Sequence, residues 1–243
     1  MIKIENIKVD GFDTAIRGMR NPMNSWDRSD SYYAVDCGDC GLIEEKGFCT
    51  KADRPGRCDL FRCYQIGNND VELMKKLIKS GTDHSKFMRM INVSMDITAP
   101  LYFIKEFDTY KVGTTRNSCS TMHKITSKEF TLDDFSHEHL TPGAKNFLSE
   151  IIYSLNEARS IYINFDEYIN SGVLEKSLTS KKDVWWQIIQ LLPSSYNQRF
   201  TWSANYEVLR NMYHARKNHK LDEWQEFCNM IETVLPYSEL ITM

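Results

Sequence analysis

Hydrophobic and polar positions along this chain change period several times, and each change marks an element. Ile2, Ile4, Ile7 and Val9 nearly alternate with polar residues, which predicts a first strand ended by Gly11. A short helix is expected over 13–20. From Asn21 to about Gly67 no period holds, and the stretch, rich in Asp, Gly, Ser and Cys, reads as loop or insertion. Val71, Met74, Leu77 and Ile78 then fall at helical spacing and predict an amphipathic helix stopped by Gly81. Ile91, Val93, Met95 and Ile97 alternate with Asn92, Ser94 and Asp96, the pattern of a half-buried strand, and Ala99-Pro100 opens a short helix through Lys105.

The second half carries the longer period. Thr141 followed by Pro142 is an N-cap with a first-turn proline, and Phe147, Leu148, Ile151, Ile152, Leu155 and Ile161 continue one apolar face. Val184–Leu192 is a helix ended by Pro193, and two more are expected over 203–217 and 221–235. The class predicted is α+β with a helical C-terminal half, organised as one domain over 1–243 that carries a Cys-rich insertion at 37–63.

Composition narrows the function classes. With 42 % hydrophobic and 26 % charged residues over 243 positions, the chain can bury one substantial core. A net charge of −3 gives no bulk attraction to nucleic acid or to an anionic membrane, and no run of about 18 apolar residues could span a bilayer. With no signal-peptide core at the N-terminus, the expected location is the cytosol.

Seven cysteines in such a compartment argue against a disulfide framework. Five crowd into 37–63. Cys37, Cys40, Cys49 and Cys58, with Cys63 as an alternative fourth ligand, could hold one structural Zn2+ in a tetrahedron of thiolates. An iron–sulfur cluster is the rival occupant, and a set of free thiols is the plain alternative. A second constellation is Asn205-x4-Arg210-x3-His214, expected on one helix, where Arg210 and His214 share a face. A guanidinium fork there suits a phosphate or a pyrimidine carbonyl; the plain alternative is a polar helix face. The run "HARKNHK" at 214–220 reads as a solvated helix end.

The stretch "LIKSGTDHSKFMRMINVSMDITAPLYFIKEFDTYKVGTTRNSCSTMHK" resembles the central region of the flavin-dependent thymidylate synthases, the ThyX family. There a Gly-and-His turn, matched by Gly81 and His84, precedes a strand, a short helix and a loop of the form RHRxxSxNExSxRY. The segment "LLPSSYNQRFTWSANYEVLRNMYHARKNHKLDEWQEF" resembles the family's C-terminal part, with Asn205, Arg210 and His214 matching an N-x4-R-x3-H helix. The resemblance covers roughly 70–230 and leaves out the Cys-rich segment. It implies a ThyX-like fold, a small antiparallel sheet packed with long helices, in a homo-oligomer, most simply a tetramer, with sites between subunits.

By that resemblance the ligand is a pyrimidine deoxynucleotide such as dUMP, methylated at C5 to dTMP with FAD as hydride donor, a reduced folate as carbon donor and NADPH as reductant. The alternative is a catalytically inactive member that binds a nucleotide or a protein partner. The resemblance assigns the nucleotide to Arg210, Asn205, Lys105, Arg116 and Ser118, and the flavin to His84 and His214. The signature loop is rewritten. Lys105-Glu106-Phe107 stand where the motif begins, and Tyr110, Val112, Gly113 and Thr115 stand where the family has Ser, Asn, Glu and Ser. Asn117, beside Arg116, falls on the loop's late Arg, and Ile189 replaces an Arg before the Leu-Pro.

Overall fold

The first alternating run forms β1 (Lys3–Asp10), and the next short apolar face forms α1 (Phe12–Arg20). This is a computed structural model, and the residues it describes are 2–33, 52–54, 57–58 and 64–243. Four two- or three-residue strands follow α1: β2 (Tyr32–Tyr33), β3 (Ala52–Arg54), β4 (Arg57–Cys58) and β5 (Tyr64–Gln65). After them come α2 (Asn68–Lys79), β6 (Asn92–Pro100), α3 (Leu101–Phe107), β7 (Thr115–Ser118) and α4 (Thr121–Lys124). The second half holds α5 (Pro142–Ile163), α6 (Phe165–Ser171), α7 (Lys181–Leu191), β8 (Asn197–Asn205), α8 (Tyr206–Arg216), α9 (Asp222–Val234) and α10 (Glu239–Thr242).

The main sheet has the order β1-β6-β8-β7 and is antiparallel. Thr115 pairs with Ser203 and Ser118 with Phe200 across β7 and β8. In β6 the odd positions Val93, Met95 and Ile97 are buried, while Ser94, Asp96 and Thr98 between and after them are half-exposed, as the alternation predicts.

One expected helix is corrected. Residues 203–205 are not its start; they end β8, and the helix begins at Tyr206. The reason lies in the period. Phe200, Trp202 and Ala204 are buried while Arg199 and Thr201 are exposed, an alternation of two that the neighbouring aromatic and polar residues masked.

By its internal contacts the chain divides into two compact units. The first comprises residues 1–7, 94–203 and 216–229. It has an aromatic core, with Phe103, Phe107, Phe200, Trp202, Trp224 and Phe227 all at or below 2 % exposure. A second apolar cluster, including Phe130, Phe135, Leu148, Leu155 and Ile188, forms where α5 packs on α7. The Thr141 hydroxyl accepts the Ala144 N–H at 3.3 Å, so the predicted cap of α5 is made.

The second unit comprises 8–93, 204–215 and 230–243. Its core includes Ile16, Met74, Met88, Ile91, Leu209, Met212 and Ile231. Gly11 sits at φ 97°, where a Cβ would lie 2.1 Å from the Met90 carbonyl oxygen, so only glycine fits. A buried ion pair joins Arg20 and Asp70 at 2.7 Å, and both Ser29 and Ser31 donate to the other Asp70 oxygen at 2.6 Å. Burial alone would raise the Asp70 pKa; these donors outweigh it and hold the carboxylate below its ordinary value.

Candidate functional site

The rewritten loop places its residues unequally. In α3 the apolar positions 103, 104 and 107 turn inward, which leaves Lys105 exposed, with no ion pair among the described residues. Phe107 is 1 % exposed and lies within aromatic contact of Trp202 at 5.0 Å, Phe103 at 5.4 Å, Phe227 at 5.5 Å and Trp224 at 5.7 Å. Such pairs add to the area each ring buries, so this residue is a core element.

Glu106 is equally occupied. One of its oxygens accepts from Trp224 Nε1 at 3.1 Å and Arg216 Nη1 at 3.3 Å, and His219 Nε2 lies 3.3 Å from the same oxygen. The Leu221 N–H donates to His219 Nδ1, which leaves the ring proton on Nε2, facing the carboxylate. Arg216 also donates through Nε to the Tyr110 hydroxyl at 2.9 Å and lies 4.9 Å over the Trp224 ring. The run at 214–220 is therefore only partly a solvated end: its Arg216 and His219 are half-buried around Glu106. The sequence reading missed this group because its members lie far apart in the chain.

Arg116, on β7, pairs through Nη2 with Asp108 at 2.9 Å and sits 5.2 Å from the Phe200 ring centre. Its Nη1 is buried without a hydrogen-bond partner. Ser118 closes the same strand opposite Phe200 and is half-buried.

The other predicted residues belong to the second unit. His84 is exposed in the turn after α2, where its N–H donates to the Gly81 carbonyl at 3.1 Å. Asn205 is not on the helix, as its spacing had suggested. It ends β8, and its Oδ1 accepts the Val208 N–H at 3.1 Å, an N-cap for α8. Arg210 and His214 do share a face, one turn apart. Both reach the Met243 carbonyl oxygen, Arg210 through Nη2 at 2.8 Å and His214 through Nε2 at 3.1 Å. The Arg210 Nε is buried with no partner. Buried N–H groups left unpaired are uncommon and costly, so each is a place where an acceptor would be stabilising.

The proposed zinc ligands Cys37, Cys40 and Cys49, and the side chain of Cys58, lie outside the described residues. Among the described residues, no group of three or more His, Cys, Asp or Glu is placed to hold a metal, and no helix is long and apolar enough to cross a membrane.

The sheet, its order and the helices around it define the fold of flavin-dependent thymidylate synthase ThyX. A crystal structure of ThyX from Helicobacter pylori complexed with FAD and dUMP matches with a TM-score of 0.60 at 14 % identity, over 99 % of this chain and 98 % of that one. A second structure of the same protein with FAD and dUMP, at 2.31 Å resolution, matches with a TM-score of 0.59 at 13 % identity, over the whole of both chains. At such identity the likeness is one of fold. No family model matches the sequence, and no curated protein matches it.

Proposed function

We propose that this chain binds a pyrimidine deoxynucleotide, with Arg210 as its principal anchor. The observation that carries the reading is the buried, unpaired Nε of Arg210, in a stretch whose sequence keeps the N-x4-R-x3-H pattern. A guanidinium with a free buried N–H suits a phosphate or ring carbonyl, which would complete its hydrogen bonds in a desolvated setting. The Asn205 amide nitrogen, unbonded among the described residues, offers a second donor nearby in sequence. The end-to-end likeness in fold to a protein complexed with FAD and dUMP supports the choice of ligand class.

A flavin is the cofactor the fold suggests, and the residues at 105–107 do not fit its phosphates. Lys105 alone offers charge there; Glu106 is an anion already shared by three donors, and Phe107 is enclosed in the core. No step is therefore derived through FAD. The second reading, methylation of dUMP to dTMP by a divergent flavoenzyme with folate and NADPH as co-substrates and His84 and His214 near the flavin, rests on the full-length likeness to a FAD complex. Yellow protein with flavin absorbance, or dTMP formed from dUMP, would favour it.

Isothermal titration with dUMP, dTMP and FAD tests the main reading. Arg210→Ala should weaken dUMP binding by about a hundredfold, since a charge-assisted contact in a desolvated setting is lost, while helicity is kept. Lys105→Ala should change it little, because an exposed point charge contributes little. Equal affinity in the parent and Arg210→Ala would place the site elsewhere.

The apolar side chains Phe147 and Tyr153 of α5 are 69 % and 65 % exposed, and Trp186 of α7 is 42 % exposed. The reading therefore extends to a homo-oligomer, with a tetramer expected. Light scattering that shows a monomer at micromolar concentration would remove this part.

A further inference from the structure

A cavity of about 190 Å³ opens in the first unit, where the end of β7, α4, β8 and the 125–134 segment converge. Its charge runs against that of the protein. The chain carries a net −3, yet the lining sets Lys124, Lys128 and Arg199 against a single carboxylate, Asp134. That carboxylate is already engaged. It takes the Lys128 ammonium on one oxygen, and the Thr131 backbone N–H and hydroxyl on the other at 2.9 and 3.1 Å. Arg199 is tied through Nη2 to Asp96 at 3.0 Å, which leaves its other N–H groups uncommitted. Lys124 makes no ion pair among the described residues.

Two hydroxyls of the lining act in the same direction, while that of Ser127 is spent on the Lys124 carbonyl at 2.7 Å. Ser120 Oγ accepts the His123 N–H at 3.3 Å, and Thr121 Oγ1 accepts from Gln198 Nε2 at 3.2 Å. A hydroxyl has one proton and two lone pairs, so each of these keeps its proton to donate. The Tyr196 hydroxyl makes no hydrogen bond among the described residues, while its ring, with Ile125 and Phe130, supplies an apolar wall. The cavity thus gathers uncommitted donors and has its one acid spent.

Uncommitted donors gathered beside a single, already engaged carboxylate fit an anion that presents several oxygens. The volume is that of about six waters at liquid density, room for a phosphate and a short carbon skeleton. It is below the roughly 300 Å³ at which sites for larger organic ligands begin. We propose that this cavity binds a small phosphate monoester, held by Lys124 and the Ser120 and Thr121 hydroxyls. The site goes beyond the nucleotide reading, since Arg210, Asn205, Lys105, Arg116 and Ser118 are all absent from its lining.

Cys119 lines the same cavity with an exposed thiol and serves as the reporter. The full-length protein is alkylated with iodoacetamide in the presence of glycerol phosphate, with glycerol as the uncharged control, and modification of the Cys119 peptide is followed by mass spectrometry. Glycerol phosphate should protect Cys119 and glycerol should not. Lys124→Ala should need about tenfold more glycerol phosphate for equal protection, the cost of one charged contact. Lys124→Gln, which keeps the stem without the charge, should show the same loss, and thermal unfolding verifies that both variants are folded. No protection in the parent protein, or equal protection in both folded variants, overturns the proposal. The ligand and variants differ from those of the Arg210 test, so either result stands without the other.

Discussion

Two stretches of this molecule meet a ligand-binding pattern in opposite ways. Over 103–119 the signature residues are exchanged, and the replacements are absorbed by the protein itself: Phe107 into an aromatic core, Glu106 into a group of three donors. Over 205–214 the residues keep their identity and spacing. Even so, Asn205 caps a helix, and Arg210 and His214 share one backbone carbonyl. A motif letter and an available side chain are therefore separate facts. A lost letter can become structure, and a kept letter can already be partly engaged.

The largest effect is expected from Phe107→Ala. If the first stretch has become core, truncating a ring that is 1 % exposed among five aromatic neighbours should destabilise the protein by about 3–5 kcal/mol, read from denaturant unfolding. A loss below about 1 kcal/mol would mean the ring is dispensable for folding and free to serve a ligand. The second stretch gives a smaller effect. Asn205→Ala removes the acceptor for the Val208 N–H and should cost about 1 kcal/mol, with Asn205→Asp recovering most of it. An unchanged midpoint for Asn205→Ala would return that residue to a purely ligand-facing role.

The smallest effect concerns the sheet that carries both stretches. Asp96 on β6 accepts from Thr201 at 2.6 Å, from Asn6 at 2.9 Å and from Arg199 at 3.0 Å, and these bonds hold its pKa at about 2. A carboxylate depressed below its unfolded value of about 3.9 contributes stability that is complete above that pH and is lost as pH falls towards 2. Acid unfolding should therefore show a gap between parent and Asp96→Asn that is widest above about pH 4 and closes towards pH 2. A gap independent of pH would show that the bonds do not depend on the charge.

Much of the fold was legible because it is written in local period. The alternation of β6, the amphipathic face of α2 and the Thr141-Pro142 start of α5 each depend on residues within one or two turns of one another. β8 was hidden because its alternating Phe200, Trp202 and Ala204 run directly into a helical pattern, and a boundary between two periods is weakly marked. The site was less legible for a different reason. Nothing near Glu106 announces that Arg216, His219 and Trp224, more than a hundred positions away, will satisfy it. The Asn205 cap was readable in principle, since Asn before a helix with its acceptor three residues short of an N–H is a local signal.

The pairing of β2 with β5 sets Tyr33 opposite Tyr64, and the Asp70 network fastens Ser29 and Ser31 beside them. The chain thus leaves at 33 and returns at 64 through adjacent ladder positions. In polymer terms the ring is closed at its neck, and the entropy of closing a loop grows only with the logarithm of its length. Each doubling adds about 0.6 kcal/mol. The neck formed by Tyr33, Tyr64 and the Asp70 group thus fixes both ends of the intervening chain, whatever number of residues lies between them.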